Sequence, residues 1–226
     1  MNGGDELSGR SDSVARIAVI LSSCGVIVSG CADSSEMMTT EFVDRIDSLG
    51  FFEYVEPSRL EGAKHEIQEN GWVGVFGESG RVFNADAENL AEGGVGEFLS
   101  ELTSFLEQQE VHISRVEDLV RDDEYKVLVG GQEHLIWNAD ELSRAETELG
   151  LLWGMATVRT FALVNARLTQ AGSSERLYAV YGGNDLLGFF LTEKLRDAVR
   201  GHADATLESW PYLPKAEYPW FGQEHD

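Results

Sequence analysis

Only two cysteines, Cys24 and Cys31, occur in 226 residues, and both lie in one apolar stretch near the N-terminus. Two thiols exclude a disulfide framework and a four-cysteine zinc site. Lysine is almost as scarce, being confined to Lys64, Lys126, Lys194 and Lys215, so arginine carries most of the positive charge. Seventeen Lys and Arg stand against 40 Asp and Glu, which leaves a formal net charge of -23 and a pI near 4.4. A field of that sign repels phosphate backbones and anionic headgroups. No nucleic-acid partner is expected, and contact with a membrane would have to come through a lipid anchor. Acid-rich, lysine-poor surfaces suit high salt, which screens self-repulsion, although many bacterial proteins are simply acidic. No uninterrupted apolar run reaches the roughly 18 residues that a membrane-spanning helix needs. What is present is the composition of a folded domain, 42% hydrophobic and 25% charged, in a chain long enough for one good core or two small ones.

The apolar stretch holding the cysteines runs from Ile17 to Val28 and reads IAVILSSCGVIV. It is the right length for the hydrophobic region of a signal peptide. It leads into Val28-Ser29-Gly30-Cys31, which resembles the lipobox of bacterial lipoproteins: an aliphatic residue, two small ones, then cysteine. The resemblance implies a diacylglyceryl group on Cys31, cleavage just before it, loss of Cys24 and anchoring in the cell envelope. Several acyl chains would hold the protein stably, as one would not. The residues ahead of the run depart from this pattern. Asp5, Glu6 and Asp12 outweigh Arg10 and Arg16 where a basic segment is usual, and a start at Val14 would repair it. The alternative is a buried strand pair, IAVIL and GVIV, turning at Ser22 to Gly25. Residues 1–30 are thus read as a lipoprotein signal segment, 31–39 as a linker and 40–226 as the body. Within the body, subdomains over 40–110 and 120–205 are considered, with an aromatic, proline-containing tail over 210–226.

The body carries an internal repeat. Residues 73–86 read VGVFGESGRVFNAD and residues 127–140 read VLVGGQEHLIWNAD, and they align at one constant offset without a gap. A looser copy, YAVYGGNDLLGFFLTEKL, spans Tyr178 to Leu195. Each copy reads as a strand, a Gly-containing turn, a returning strand and a helix capped by Asp86, Asp140 or Thr192. Ahead of them, Phe42, Val43, Ile46 and Leu49 mark one helix and Leu60, Ala63 and Ile67 another, with Pro57 at its first position and Asn70-Gly71 as its stop. Val95 to Leu106 and the long run Glu146 to Ala171 are further helix signals, the latter apolar on so much of its circumference that it should be central. The expected fold is α+β: a largely antiparallel, six-stranded sheet built from three hairpin-then-helix units and packed by helices.

Motifs that would carry chemistry are each incomplete. Asn84, Asp86 and Glu88 alternate like a calcium loop, but Asn89 occupies the turn-glycine position and Val95 that of the bidentate Glu, so helix capping is the expected role. His65 and Glu69 stand one helical turn apart but lack the second histidine of HExxH, so a surface pair is expected and no metal site is assigned. His134 follows a turn and is expected to be solvated. Gly77-Glu78-Ser79-Gly80 lacks a spacer of the nucleophile elbow, and the glycine pairs lack a phosphate-loop lysine. Glu133 and Asp185 occupy corresponding turns and would serve a carboxylate-based hydrolase only if they shared a cleft. No cofactor is expected. The aromatic tail, with Trp210, Trp220 and Phe221, is either a set of partner contacts or a seal over the core. The favoured expectation is a non-catalytic envelope lipoprotein that binds a protein with a basic surface or assists assembly. The alternatives are an acidic, cytoplasmic immunity or antitoxin-type protein that neutralises a basic toxin, and the hydrolase.

Overall fold

The computed structural model describes residues 39–73, 79–202 and 210–216, all within the unit Glu36–Asp226. The signal segment with Cys24 and Cys31, most of the linker, and Trp220 and Phe221 of the tail lie outside the described residues.

The fold is α+β. Helix α1 (Thr40–Ser48) begins where the Thr39 hydroxyl accepts a hydrogen bond from the Phe42 N–H at 3.2 Å, and it buries Phe42, Val43 and Ile46. Helix α2 (Leu60–Asn70) starts three residues later than expected, because Pro57 sits in the turn leading into it, and it ends at Gly71 with a φ of 81°. The chain then forms β1 (Val82–Asn84), α3 (Ala87–Ala91), α4 (Val95–Glu101), α5 (Thr103–Gln108), β2 (Val116–Val120), β3 (Tyr125–Val129), β4 (Gln132–Trp137) and α6 (Ala139–Ala145). The long helix α7 (Leu151–Gln170), β5 (Glu175–Val180), a 3-10 turn at Gly183–Asp185, β6 (Leu187–Thr192) and α8 (Glu193–Arg200) follow.

The strands form two three-stranded antiparallel sheets, β1-β6-β5 and β2-β3-β4, and not the single six-stranded sheet expected. The difference comes from β1 and β2. Strand β1 pairs with β6, so that Val82 faces Phe189 across about half the chain and across the division between the two expected subdomains, residues 110–120. Strand β2, with sequence VEDLV, falls in that division, where Glu117 and Asp118 interrupt its apolar pattern. The second repeat unit is a hairpin followed by a helix: β3 and β4 join through Gly130 and Gly131, with φ of 62° and 88°, the left-handed pair a tight hairpin turn needs. The third, β5–β6–α8, has the same form. In the first, residues 74–78 lie outside the described residues, and its returning strand is β1.

Burial explains the two sequence textures. Strand β6 is apolar without alternation because its sheet is covered on both faces. Phe190 joins Leu177 and Ala179 in one core cluster, while Phe189, Leu187 and Leu191 join Tyr178 and Val180 in another. Phe105 stacks on Phe190 at 3.9 Å between ring centroids. Strand β3 alternates because its sheet has one wet face: Tyr125, Val127 and Val129 point into the core while Lys126 and Leu128 do not. Helix α7 packs against β4 of one sheet and β5 of the other, which matches its apolar circumference. It begins at Leu151, because Gly150 with a φ of 79° separates it from α6. The Val95–Leu106 signal is divided between α4 and α5.

Candidate functional site

Among the described residues, the densest set of polar contacts gathers on a residue that no motif marks. Arg81, in the turn that enters β1, is 1% exposed. Its Nε donates to the Phe51 carbonyl at 2.8 Å, Nη2 to the Gly50 carbonyl at 2.9 Å, and Nη1 to the Phe190 carbonyl at 3.0 Å and to Glu175 Oε1 at 2.9 Å. The guanidinium also lies over the Tyr54 ring, 4.5 Å from its centroid. Glu175 is 3% exposed, its Oε2 has no hydrogen-bond partner, and burial pushes its carboxyl above the usual carboxylate range despite the arginine beside it. The contacts close into a ring. The Glu175 N–H donates to Ser173 Oγ at 3.0 Å, Ser173 Oγ donates to Gln109 Oε1 at 2.8 Å, and Gln109 Nε2 donates to the Tyr54 hydroxyl at 2.7 Å. Burial raises the Tyr54 pKa, so its hydroxyl stays neutral. All three guanidinium nitrogens of Arg81 are bonded to protein oxygens, which makes this ring a clamp between segments and not a presented cation.

A second, half-buried polar group ties α4 to the second sheet. Asp118 of β2 accepts from the Gly96 N–H at 3.1 and 3.0 Å and from the Tyr125 hydroxyl, which itself accepts from the Val95 N–H at 3.1 Å. Burial and the adjoining carboxylate raise the Tyr125 pKa, so it remains a donor. A third group holds α6 to α7. Arg159 donates to both Glu141 oxygens at 2.8 and 2.7 Å and to the Ile136 carbonyl at 2.8 Å. The same Glu141 closes a capping box with Asn138.

The expected site residues are placed as follows. Asp86 caps α3, accepting from the Glu88 and Asn89 N–H groups at 3.0 and 3.2 Å, while Asn84 is exposed on β1 and Glu88 accepts from Asn184 at 2.9 Å. Thr192 caps α8. Asp140 does not cap its helix; Asn138 does, two residues earlier, because an Asx side chain followed three residues on by Glu141 can satisfy two backbone N–H groups reciprocally. His65 and Glu69 form the expected exposed pair at 3.2 Å. His134 is not solvated: it is half-buried, its Nε2 has no hydrogen-bond partner, and burial followed by Arg167 lowers its pKa. It sits opposite Val127, on the face of β4 that turns toward the core. Ser79 is buried and accepts from the Arg81 N–H at 3.2 Å; Gly77 and Glu78 lie outside the described residues. Glu133 lies 3.4 Å from Lys126 on the second sheet, whereas Asp185 belongs to the turn before β6 in the first. No group of three metal-ligating side chains occurs among the described residues.

Part of the tail belongs to the first sheet. Tyr212 exchanges backbone hydrogen bonds with Ala179 at 2.9 and 2.8 Å, and its hydroxyl donates to the Tyr181 carbonyl at 2.7 Å. Trp210 is half-buried, with the Arg200 guanidinium 4.9 Å from its ring centroid.

No known family, characterised protein or solved structure matches the chain.

Proposed function

We propose that the chain is an envelope lipoprotein, anchored through Cys31, whose acidic body binds a protein partner with a basic surface. The observation that carries the second half is the distribution of its charge. Lys64, Arg81, Arg121, Lys126, Arg144, Arg159 and Arg196 each lie within 4.0 Å of a carboxylate of the same chain. Internal pairs thus take up much of the positive charge and leave an unmatched acidic excess facing water. Such a field accelerates encounter with cationic surfaces and repels anionic ones. The first half is supported by the VSGC tetrapeptide after an apolar run. In the reading, Trp210, Trp220 and Phe221 are the aromatic contacts at the centre of the interface, where a desolvated ring stabilises most.

Two measurements test the two halves. Full-length protein made in a bacterial host should partition into the detergent phase, and Cys31→Ala protein should remain unprocessed in the aqueous phase. A mature chain that begins at Met1 or at position 14 overturns the anchor and leaves the cytoplasmic antagonist of a basic toxin as the reading. For the partner, the association rate should fall as salt rises, because the field is screened to about 10 Å at 0.1 M ionic strength. The dissociation rate should change less. A partner whose association rate ignores salt counts against a charge-steered encounter. Truncation before Trp210 would also remove the Tyr212 bridge, so side-chain replacement at Trp210, Trp220 and Phe221 is the cleaner way to probe the tail.

A further inference from the structure

Among the described residues, the second sheet has an open edge. In the order β2-β3-β4, strand β2 has one neighbour. Arg121 and Glu124 form the first hydrogen-bonded pair of the β2–β3 hairpin, the Arg121 N–H donating to the Glu124 carbonyl at 2.8 Å. Antiparallel pairing alternates, so Leu119 and Glu117 also turn their backbone groups toward β3, while Val116, Asp118 and Val120 turn theirs away. Outside the β2–β3 ladder, no backbone hydrogen bond among the described residues engages the N–H or C=O of those three. Val120 is 50% exposed, and Leu119 and Val116 are half-buried. Three outward donors and acceptors in a row are the template for another strand.

The charge along this edge selects the occupant. Glu97, Glu117, Asp122 and Asp123 are exposed around it, whereas Arg121 is held by Glu124 at 2.8 Å and Lys126, across from Leu119, by Glu124 and Glu133 at 3.0 and 3.4 Å; Arg115 is a further cation beside the strand. A second copy of this chain pairing antiparallel here would set either Glu117 or Asp118 against its own image, depending on register, and like charges across a strand pair repel. An extended segment with Lys or Arg on alternate positions meets the opposite situation: its cations stand beside Glu117 and the hairpin acids, and its apolar residues extend the Val116–Val120 strand.

We infer that the free edge of β2 is a docking edge for an extended, basic segment of a partner protein, added as a fourth strand to β2-β3-β4. This rests on the basic-partner reading above and locates one surface for it.

The probe is a synthetic peptide alternating Lys and Val, titrated against the full chain in detergent, with an alternating Glu-Val peptide as control. Val120→Pro removes an outward N–H and no ladder bond, so it should keep the wild-type melting temperature, since edge strands tolerate proline. It should weaken the Lys-Val peptide about tenfold. Glu117→Lys should weaken it as well, and hydrogen exchange at Val116, Asp118 and Val120 should slow on addition of the peptide. Salt-sensitive binding that Val120→Pro leaves unchanged overturns the edge while the basic-partner reading stands. Equal binding of the Glu-Val peptide, or no binding of the Lys-Val peptide at any salt, overturns the edge together with its charge selection. If Val120→Pro lowers the melting temperature, the exchange measurement on the wild-type chain decides: unchanged rates at the three amides overturn the proposal.

Discussion

Arg81→Ala should destabilise the fold by about 3–5 kcal/mol, the range for breaking a buried ion pair from one side. The loss has two parts. Glu175, already without a partner for Oε2, is left as an uncompensated buried carboxylate, and the Gly50, Phe51 and Phe190 carbonyls lose their donor. The first part depends on pH. Burial raises the folded-state pKa of Glu175 above its unfolded value, so the native state binds more protons. Stability at this site is therefore greatest in acid and is lost as pH rises from the unfolded pKa, about 4.3, through the raised folded one. Without Arg81 the carboxyl is pushed higher still, so the deficit of the variant should be smaller at about pH 5 than at about pH 7. Glu175→Gln should cost less, since its amide keeps an acceptor for Nη1 and carries no charge to desolvate. Denaturant unfolding of the three proteins at both pH values checks this. A deficit for Arg81→Ala that is equal at the two pH values would show that the carbonyl bonds, and not the ion pair, dominate.

Gly96→Ala should cost about 1–3 kcal/mol through loss of part-buried hydrogen bonds to a carboxylate, and Asp118→Ala a similar amount. An ideal Cβ at Gly96 would lie 2.4 Å from Asp118 Oδ2 and 3.3 Å from Val116 Cγ1. The carboxylate must move, and in moving it gives up the half-buried Gly96 N–H and the hydroxyl of the buried Tyr125. The two changes remove the same interaction, so a double variant should lose little more than either single one. Additive losses would mean that Gly96 is required for a reason other than the approach of Asp118. Thermal unfolding of the single and double variants measures the coupling.

What was legible in the sequence follows from range. The Thr192 cap, the stop at Gly71, the hairpin glycines 130 and 131 and the central helix α7 are set by neighbours within a few residues, so local pattern carries them. The shift of the cap from Asp140 to Asn138 is a local choice between two capable side chains, decided by the position of Glu141. Strand β2 was hidden because Asp118 points inward, where Tyr125 and Gly96 satisfy it, so a core-facing position reads as polar. His134 was hidden by the same logic in reverse: strand alternation turns it inward although it stands beside a turn. Arg81 and Glu175 are 94 positions apart, and nothing in GRV or SER distinguishes a buried clamp from two surface charges. Charge complementarity at that distance is written in the pairing of β1 with β6, which no short-range pattern announces.

That pairing sets an order of events. The middle strand of the first sheet is β6, almost the last element of the chain, and β1, α1 and α2 have no sheet to rest on until it arrives. The hairpin β3–β4 closes through a two-residue turn and can form early, but the core that buries Phe42, Ile46 and Trp72 waits for Phe189 and Leu191. Distant contacts of this kind slow folding, because the loop must close before they reward it. The helices α1 and α2 thus spend the making of about a hundred residues with their apolar faces uncovered, the interval in which they are most open to wrong partners.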